Sequence, residues 1–284
     1  MHFKYLSASQ TVIYSLIQNE RMTTHGCLAI MAAMGTIIVF ANQKGGVGKT
    51  TTAASLGAFI AQKEKRVLLV DFDPQGNLSS TLGADPSKPG IYEVITGKVG
   101  VHAAIQNTSE PTLQLLASNI HLSGAAVELI NVPEREFYLR KALEPLKSAY
   151  DYIFIDSPPS LDLITINGLT AADKVFIPLQ CEYFAMEGLS QLVKTIQAVQ
   201  KSLNRSLEIG GIILTMYDSR TNLAQDVAKE AVKYFKDKVF RTIIPRNVHL
   251  GEAPSHGLTI NKYRPGSPGA RAYEKLAEEV LHRV

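Results

Sequence analysis

The 284-residue chain predicts a single-domain α/β fold, a doubly wound and mainly parallel sheet, and three observations carry that prediction. Runs rich in β-branched and aromatic residues alternate with segments of helix length. Most of these runs are continuously apolar, as strands are when helices cover both faces of their sheet. Two of them close on aspartate, at the strand end where such sheets bind ligands. Right-handed crossovers between successive runs then make the sheet parallel.

Residues 1–33 show no strand–helix alternation, and Met22, Met31 and Met34 all precede the first strong strand. They read as a dispensable N-terminal extension behind an upstream start codon, with the fold itself over 34–284. Glu20 and Arg21 interrupt the region, which excludes the ordered signal-peptide pattern. The expected strands are Thr36 to Ala41, Val67 to Asp71, Leu113 to Ala117, Tyr152 to Asp156, Lys174 to Leu179, Ile209 to Leu214 and Val239 to Ile243. Thr50 to Gln62 reads as a helix. Gly83 to Gly100, rich in Gly, Pro and Lys, reads as a surface excursion. No internal repeat is visible.

Composition narrows the class. With 45% hydrophobic and 19% charged residues the chain can bury a sizeable core and does not read as disordered. Cys27 and Cys181 are far apart without a ligand spacing, so neither a disulfide framework nor a metal cluster is implied, and a reducing cytosol fits. Cys27 to Phe40 falls short of the roughly 18 residues a membrane span needs. The net charge of +3 is uneven: residues 186–284 hold 15 Lys or Arg against 10 Asp or Glu, the remainder 14 against 16. A nucleic-acid surface in the C-terminal half competes with the plain reading of solvated helix faces.

The chemistry starts at Lys44-Gly45-Gly46-Val47-Gly48-Lys49-Thr50-Thr51, between an apolar strand and a helix. Glycines there let backbone N–H groups converge on one anion, and the helix adds its positive end. This is a phosphate loop of the P-loop NTPase type, with Lys49 reaching the β- and γ-phosphates of ATP and the Thr50 hydroxyl on Mg²⁺. The strict pattern asks for Gly where this chain has Gln43; what remains is a variant with a second lysine, Lys44, at its head. Asp156 is the natural outer magnesium group, acting on the ion through a water, and Asp71 or Asp73 can orient the attacking water.

At these residues the chain resembles a known family. Ala41 to Thr51 (ANQKGGVGKTT) is similar to the deviant Walker A loop of the ParA/MinD ATPases. Asp71 to Asn77 (DFDPQGN), Ile155 to Pro159 (IDSPP), Leu214 to Asn222 (LTMYDSRTN) and Ile244 to Asn247 (IPRN) resemble the ParA/Soj chromosome-partitioning branch, and the likeness runs from about Gly35 to Val284. The resemblance implies an ATP-bound homodimer in which Lys44 crosses to the partner's phosphates while Lys49 stays in cis. It assigns the hydrolytic water to Asp73 and the flanks of the adenine to Pro245 and Asn247. It further implies nonspecific binding of double-stranded DNA, with Arg220 as a DNA contact, a slow ATPase stimulated by a ParB-like partner, and a cytoplasmic, nucleoid-associated protein. His249 stands where the family usually has Arg, so weaker and more pH-sensitive DNA binding is expected.

Three other functions compete. One is a low-turnover nucleotide-gated scaffold or regulator of replication initiation, which uses the same pocket. Another is a membrane-associated division-site ATPase like MinD, against which Tyr273 to Val284 (YEKLAEEVLHRV) is short, carries three glutamates and reads as packed on the domain, without stable membrane insertion. A nitrogenase-reductase-like role lacks its cysteine ligands.

Overall fold

The computed structural model describes residues 34–284; the expected extension at 1–33 lies outside the described residues. The sheet strands are β1 (Thr36–Phe40), β2 (Val67–Asp71), β3 (Ile105–Asn107), β4 (Leu113–Leu116), β5 (Tyr152–Asp156), β6 (Lys174–Gln180) and β7 (Glu208–Thr215). The longer helices are α1 (Lys49–Ala61), α2 (Leu163–Ala171), α3 (Ala185–Ser202), α4 (Asn222–Phe235) and α5 (Pro268–Arg283). Strands lie in the order β3-β4-β2-β5-β1-β6-β7, every pair parallel except β3 with β4. The doubly wound, mainly parallel prediction holds.

Both faces are dry, which explains the unbroken apolar runs. Along β1, Ile37 and Val39 enter one buried cluster while Ile38 and Phe40 enter the other. The second face is covered by α1 and α5. Residues Tyr273, Leu276, Ala277 and Val280 form the buried stripe of α5, at helical spacing, and the Tyr273 hydroxyl lies 2.9 Å from the Thr52 hydroxyl of α1. The C-terminal helix thus spends its apolar face on the phosphate-loop helix, as expected. Among the described residues no helix is long and apolar enough to cross a membrane.

Two expectations are corrected. Val239 to Ile243 is not a strand: it meets β7 at one isolated bridge, Ile212 with Val239, where the Phe240 amide donates to the Ile212 carbonyl at 2.9 Å. Glu279 of α5 accepts hydrogen bonds from the Arg241 and Thr242 amides at 2.8 and 2.9 Å, which takes them from any ladder. Phe240 anchors the segment by occupying the space over Gly211, where an added Cβ would sit 2.1 Å from its ring. The Gly83 to Gly100 excursion, in turn, contains a short helix, Ile91–Ile95, whose Ile91, Tyr92 and Ile95 are buried.

Candidate functional site

Register brings the chemistry to one edge. In the sheet, Phe40 pairs with Asp156 and Asp156 with Asp71, so the ends of β1, β5 and β2 are level and two carboxylates stand side by side where the loop after β1 begins. That loop is pinned by three hydrogen bonds and one buried side chain. Asn42 accepts the Lys44 amide at 3.0 Å and donates to the Pro178 carbonyl at 2.8 Å, Thr215 donates to the Val47 carbonyl at 2.9 Å, and the Val47 side chain is buried. Gly46 and Gly48 turn the chain with φ of 74° and 88°, a region costly for any residue with a Cβ. Gly45 has no such need, since a Cβ there would meet Pro159 only at ordinary contact distance. Gly48 is also the residue on which α1 starts, so the free amides of the first turn face the loop.

The Lys49 ammonium is buried and donates to the carbonyls of Asn42 at 3.1 Å and Lys44 at 3.4 Å. Burial pushes its pKa down, while the Asp156 and then the Asp73 carboxylates pull it back up. Opposite it, Asp156 is fully buried and neither of its oxygens has a hydrogen-bond partner. Its pKa is driven well above the carboxylate range by burial and then by the charge of Asp71; the Thr50 hydroxyl, close by but not in hydrogen-bond geometry, and the charge of Lys49 oppose the rise. Burial raises Asp71 to about 6, although Ser79 donates to it through both backbone and hydroxyl at 2.7 Å. Asp73 is nearly buried, and its Oδ1 accepts the Gln75 amide at 3.0 Å.

A carboxylate that is buried, unpartnered and crowded by like charge is short of a cation. Asp156 together with the Thr50 hydroxyl therefore fits a magnesium ion. Among the described residues no group of three or more His, Cys, Asp or Glu could hold a metal unaided. A divalent ion here needs phosphate oxygens among its ligands, the usual situation for magnesium on a nucleotide.

Beyond the loop, a cavity of about 290 Å³ joins Gly48 and Thr51 to Met216, Pro245, Asn247 and Tyr273. Asn247 has its amide oxygen buried there without a partner, and Met216 is held at φ 49°. The structure thus gathers Lys49, Thr50, Thr51, Asp73, Asp156, Pro245 and Asn247 around one phosphate-loop cleft.

Two candidates lie apart from it. Lys44 faces outward, its ammonium 3.2 Å from Glu182 in the loop after β6; Arg246 approaches the same carboxylate at 3.2 Å, and Gln180 donates to it. Arg220 is 86% exposed and grips Asp218 of its own loop through Nε and Nη2 at 2.8 and 2.6 Å, holding that carboxyl down at about 2. His249 is likewise occupied, its Nδ1 2.8 Å from Glu252, which Tyr263 also approaches. Glu182 was absent from the sequence reading. The signal for it was its position just past the C-terminal end of a buried strand, the rule that found Asp71 and Asp156.

Residues 35–209 match a family model described as an AAA domain. The chromosome-partitioning ATPase Soj of Treponema pallidum (strain Nichols) is 55% identical over 250 residues, covering 88% of this chain and 98% of that protein. This chain belongs to the ParA/Soj family of partitioning ATPases. A second relative in the family, the sporulation initiation inhibitor protein Soj of Bacillus subtilis (strain 168), is 53% identical over 249 residues, 87% of this chain and 98% of that one. Among solved structures, cobyrinic acid a,c-diamide synthase from Mycobacterium smegmatis with bound ADP and magnesium superposes with a TM-score of 0.76 at 41% identity, covering 88% of this chain and 95% of that chain.

Proposed function

We propose that the protein is an ATP-driven dimerisation switch that hydrolyses ATP and, when loaded, binds DNA without sequence preference, so that a ParB-like partner can use the cycle to move chromosome or plasmid. The observation that carries the reading is Asp156, a buried carboxylate with two unpartnered oxygens beside Thr50 and Lys49. Added alone, a triphosphate would repel it; as the magnesium complex, the same ligand supplies the missing cation.

In this reading the triphosphate lies along the amides of Gly45 to Thr51, Lys49 stays on the β- and γ-phosphates, and the base enters the cavity flanked by Pro245 and Asn247. Thr50 directly, and Asp156 through a water, would hold a magnesium ion, which would supply positive charge to offset that of the phosphates. Asp73 orients a water for attack on the γ-phosphorus, and as that bond forms the bridging bond breaks to leave ADP and phosphate. Lys44 crosses to a second copy. The exposed head position of Lys44 and the 55% identity to a chromosome-partitioning ATPase support this reading.

The test is calorimetric titration with ATP, with and without magnesium, followed by light-scattering mass under ATP and under ADP. Magnesium-dependent binding with a doubled mass under ATP alone is expected. Absence of magnesium-dependent affinity for ATP would reject the proposal.

DNA binding is expected to be weak at neutral pH, because Arg220 and His249 each sit on a carboxylate. His249→Arg should raise the affinity of the ATP-loaded protein for duplex DNA severalfold, read by anisotropy of labelled duplex; unchanged affinity in the variant would remove His249 from the DNA face.

A further inference from the structure

A second and larger cavity, about 840 Å³, opens at the outer edge of the sheet between α4 and the segment that failed to become a strand. It shares no lining residue with the base cavity. Leu214, Tyr217 and Phe240 line it, and the rim residues Val232 and Ile243 remain 50% and 37% exposed. Five cations line it, Lys229, Lys233, Lys236, Arg241 and Arg283, against the single carboxylate of Asp237. Lys229 and Arg283 already sit 3.5 and 3.4 Å from Asp226 and Glu279. The side chains of Lys233, Lys236 and Arg241 have no carboxylate partner among the described residues.

Two ordinary occupants fit poorly. An added β-strand needs free amides on the 239–244 segment, yet Phe240 and Ile244 donate to β7 and Arg241 and Thr242 donate to Glu279. A DNA backbone would satisfy the cations but leave the apolar floor uncovered, because phosphate contacts ask only for charge. What matches both halves of the groove is a chain with apolar side chains on one face and carboxylates beside them.

The geometry points to this groove as the docking site of an acidic amphipathic helix from a partner protein. Apolar side chains at helical spacing fill the trough between Val232 and Ile243, and flanking carboxylates reach Lys233, Lys236 and Arg241. The site is independent of the nucleotide reading and stands or falls separately from it.

A suitable probe is a fluorescein-labelled, lactam-stapled helical peptide of roughly four turns, with leucines on one face and glutamates on its flanks. Anisotropy with the full chain should show saturable binding, weakened about tenfold or more by Val232→Asp. The Lys233→Glu, Arg241→Glu double variant should weaken it comparably, and a Leu-to-Ser version of the peptide should bind about tenfold more weakly. Circular dichroism checks that each variant stays folded, and the Leu-to-Ser peptide tests the same point on the unaltered protein. The proposal is overturned if the leucine and serine peptides bind alike or if Val232→Asp has no effect. It is equally overturned if short duplex DNA displaces the peptide in a manner sensitive to the charge reversals but not to Val232→Asp, which would make the groove a nucleic-acid surface.

Discussion

Asp73→Ala is expected to slow phosphate release by roughly 100-fold or more, the usual loss when a group that positions or deprotonates the nucleophile is removed, while dimer accumulates at saturating ATP. The two effects belong together. Asp73 is nearly buried at the cleft, with Oδ1 fixed by the Gln75 amide and no hydrogen bond to Oδ2 among the described residues. That leaves one oxygen to hold a water without any direct role in gripping the phosphates. Deleting it should spare binding and stop the step that, in the proposed cycle, ends the dimer. Lys49→Ala is the opposite control: it removes the buried ammonium that the loop carbonyls and Asp156 surround, so ATP binding goes and the chain stays monomeric. Phosphate-release kinetics and light-scattering mass on both variants decide the matter. Unchanged turnover in Asp73→Ala would move the water to Asp71, another aspartate at this edge, although Asp71 already accepts three hydrogen bonds.

The extent to which these features were legible depends on how local their causes are. Strand β2 and the loop at Lys44 to Thr51 could be read directly, because apolar runs and a glycine turn before a helix are short-range facts. Gly46 and Gly48 justify that reading with their backbone angles; Gly45 does not. The Val239 to Ile243 run misled because its β-branched residues signal a strand while Glu279, far along the chain, takes the amides a strand would need. The short helix Ile91–Ile95 was hidden by the glycines and prolines around it. Long-range side-chain partners were invisible for the same reason: nothing in the motif around Lys44 mentions Glu182. The grip of Arg220 on Asp218, two residues away, was within reach of the sequence. It bears directly on DNA binding, since a paired guanidinium must leave its carboxylate before it neutralises a phosphate.

The pairing of Lys44 with Glu182 sets the second large effect. In the single chain the ammonium is tied to Glu182, itself shared with Arg246 and Gln180; in the proposed dimer it must reach another copy's phosphates. Exposed ion pairs contribute at most about 1 kcal/mol each, whereas a charge-assisted contact to phosphate contributes about 1.5–3 kcal/mol, and symmetry counts it twice. Exchange of one for the other therefore favours the dimer, but only when ATP is present in both copies. Lys44→Ala should consequently weaken the ATP dimer by roughly 100-fold or more, with ATP affinity of the single chain nearly unchanged because Lys49 remains. Glu182→Ala should shift the dimer constant the other way, by no more than about 30-fold, since symmetry counts the released pair twice as well. Sedimentation across a protein dilution series with saturating ATP separates these outcomes. A Lys44→Ala dimer as tight as the unaltered one would mean that this lysine does not bridge the copies, and a weakened Glu182→Ala dimer would mean that Glu182 belongs to the interface and does not hold Lys44 back from it.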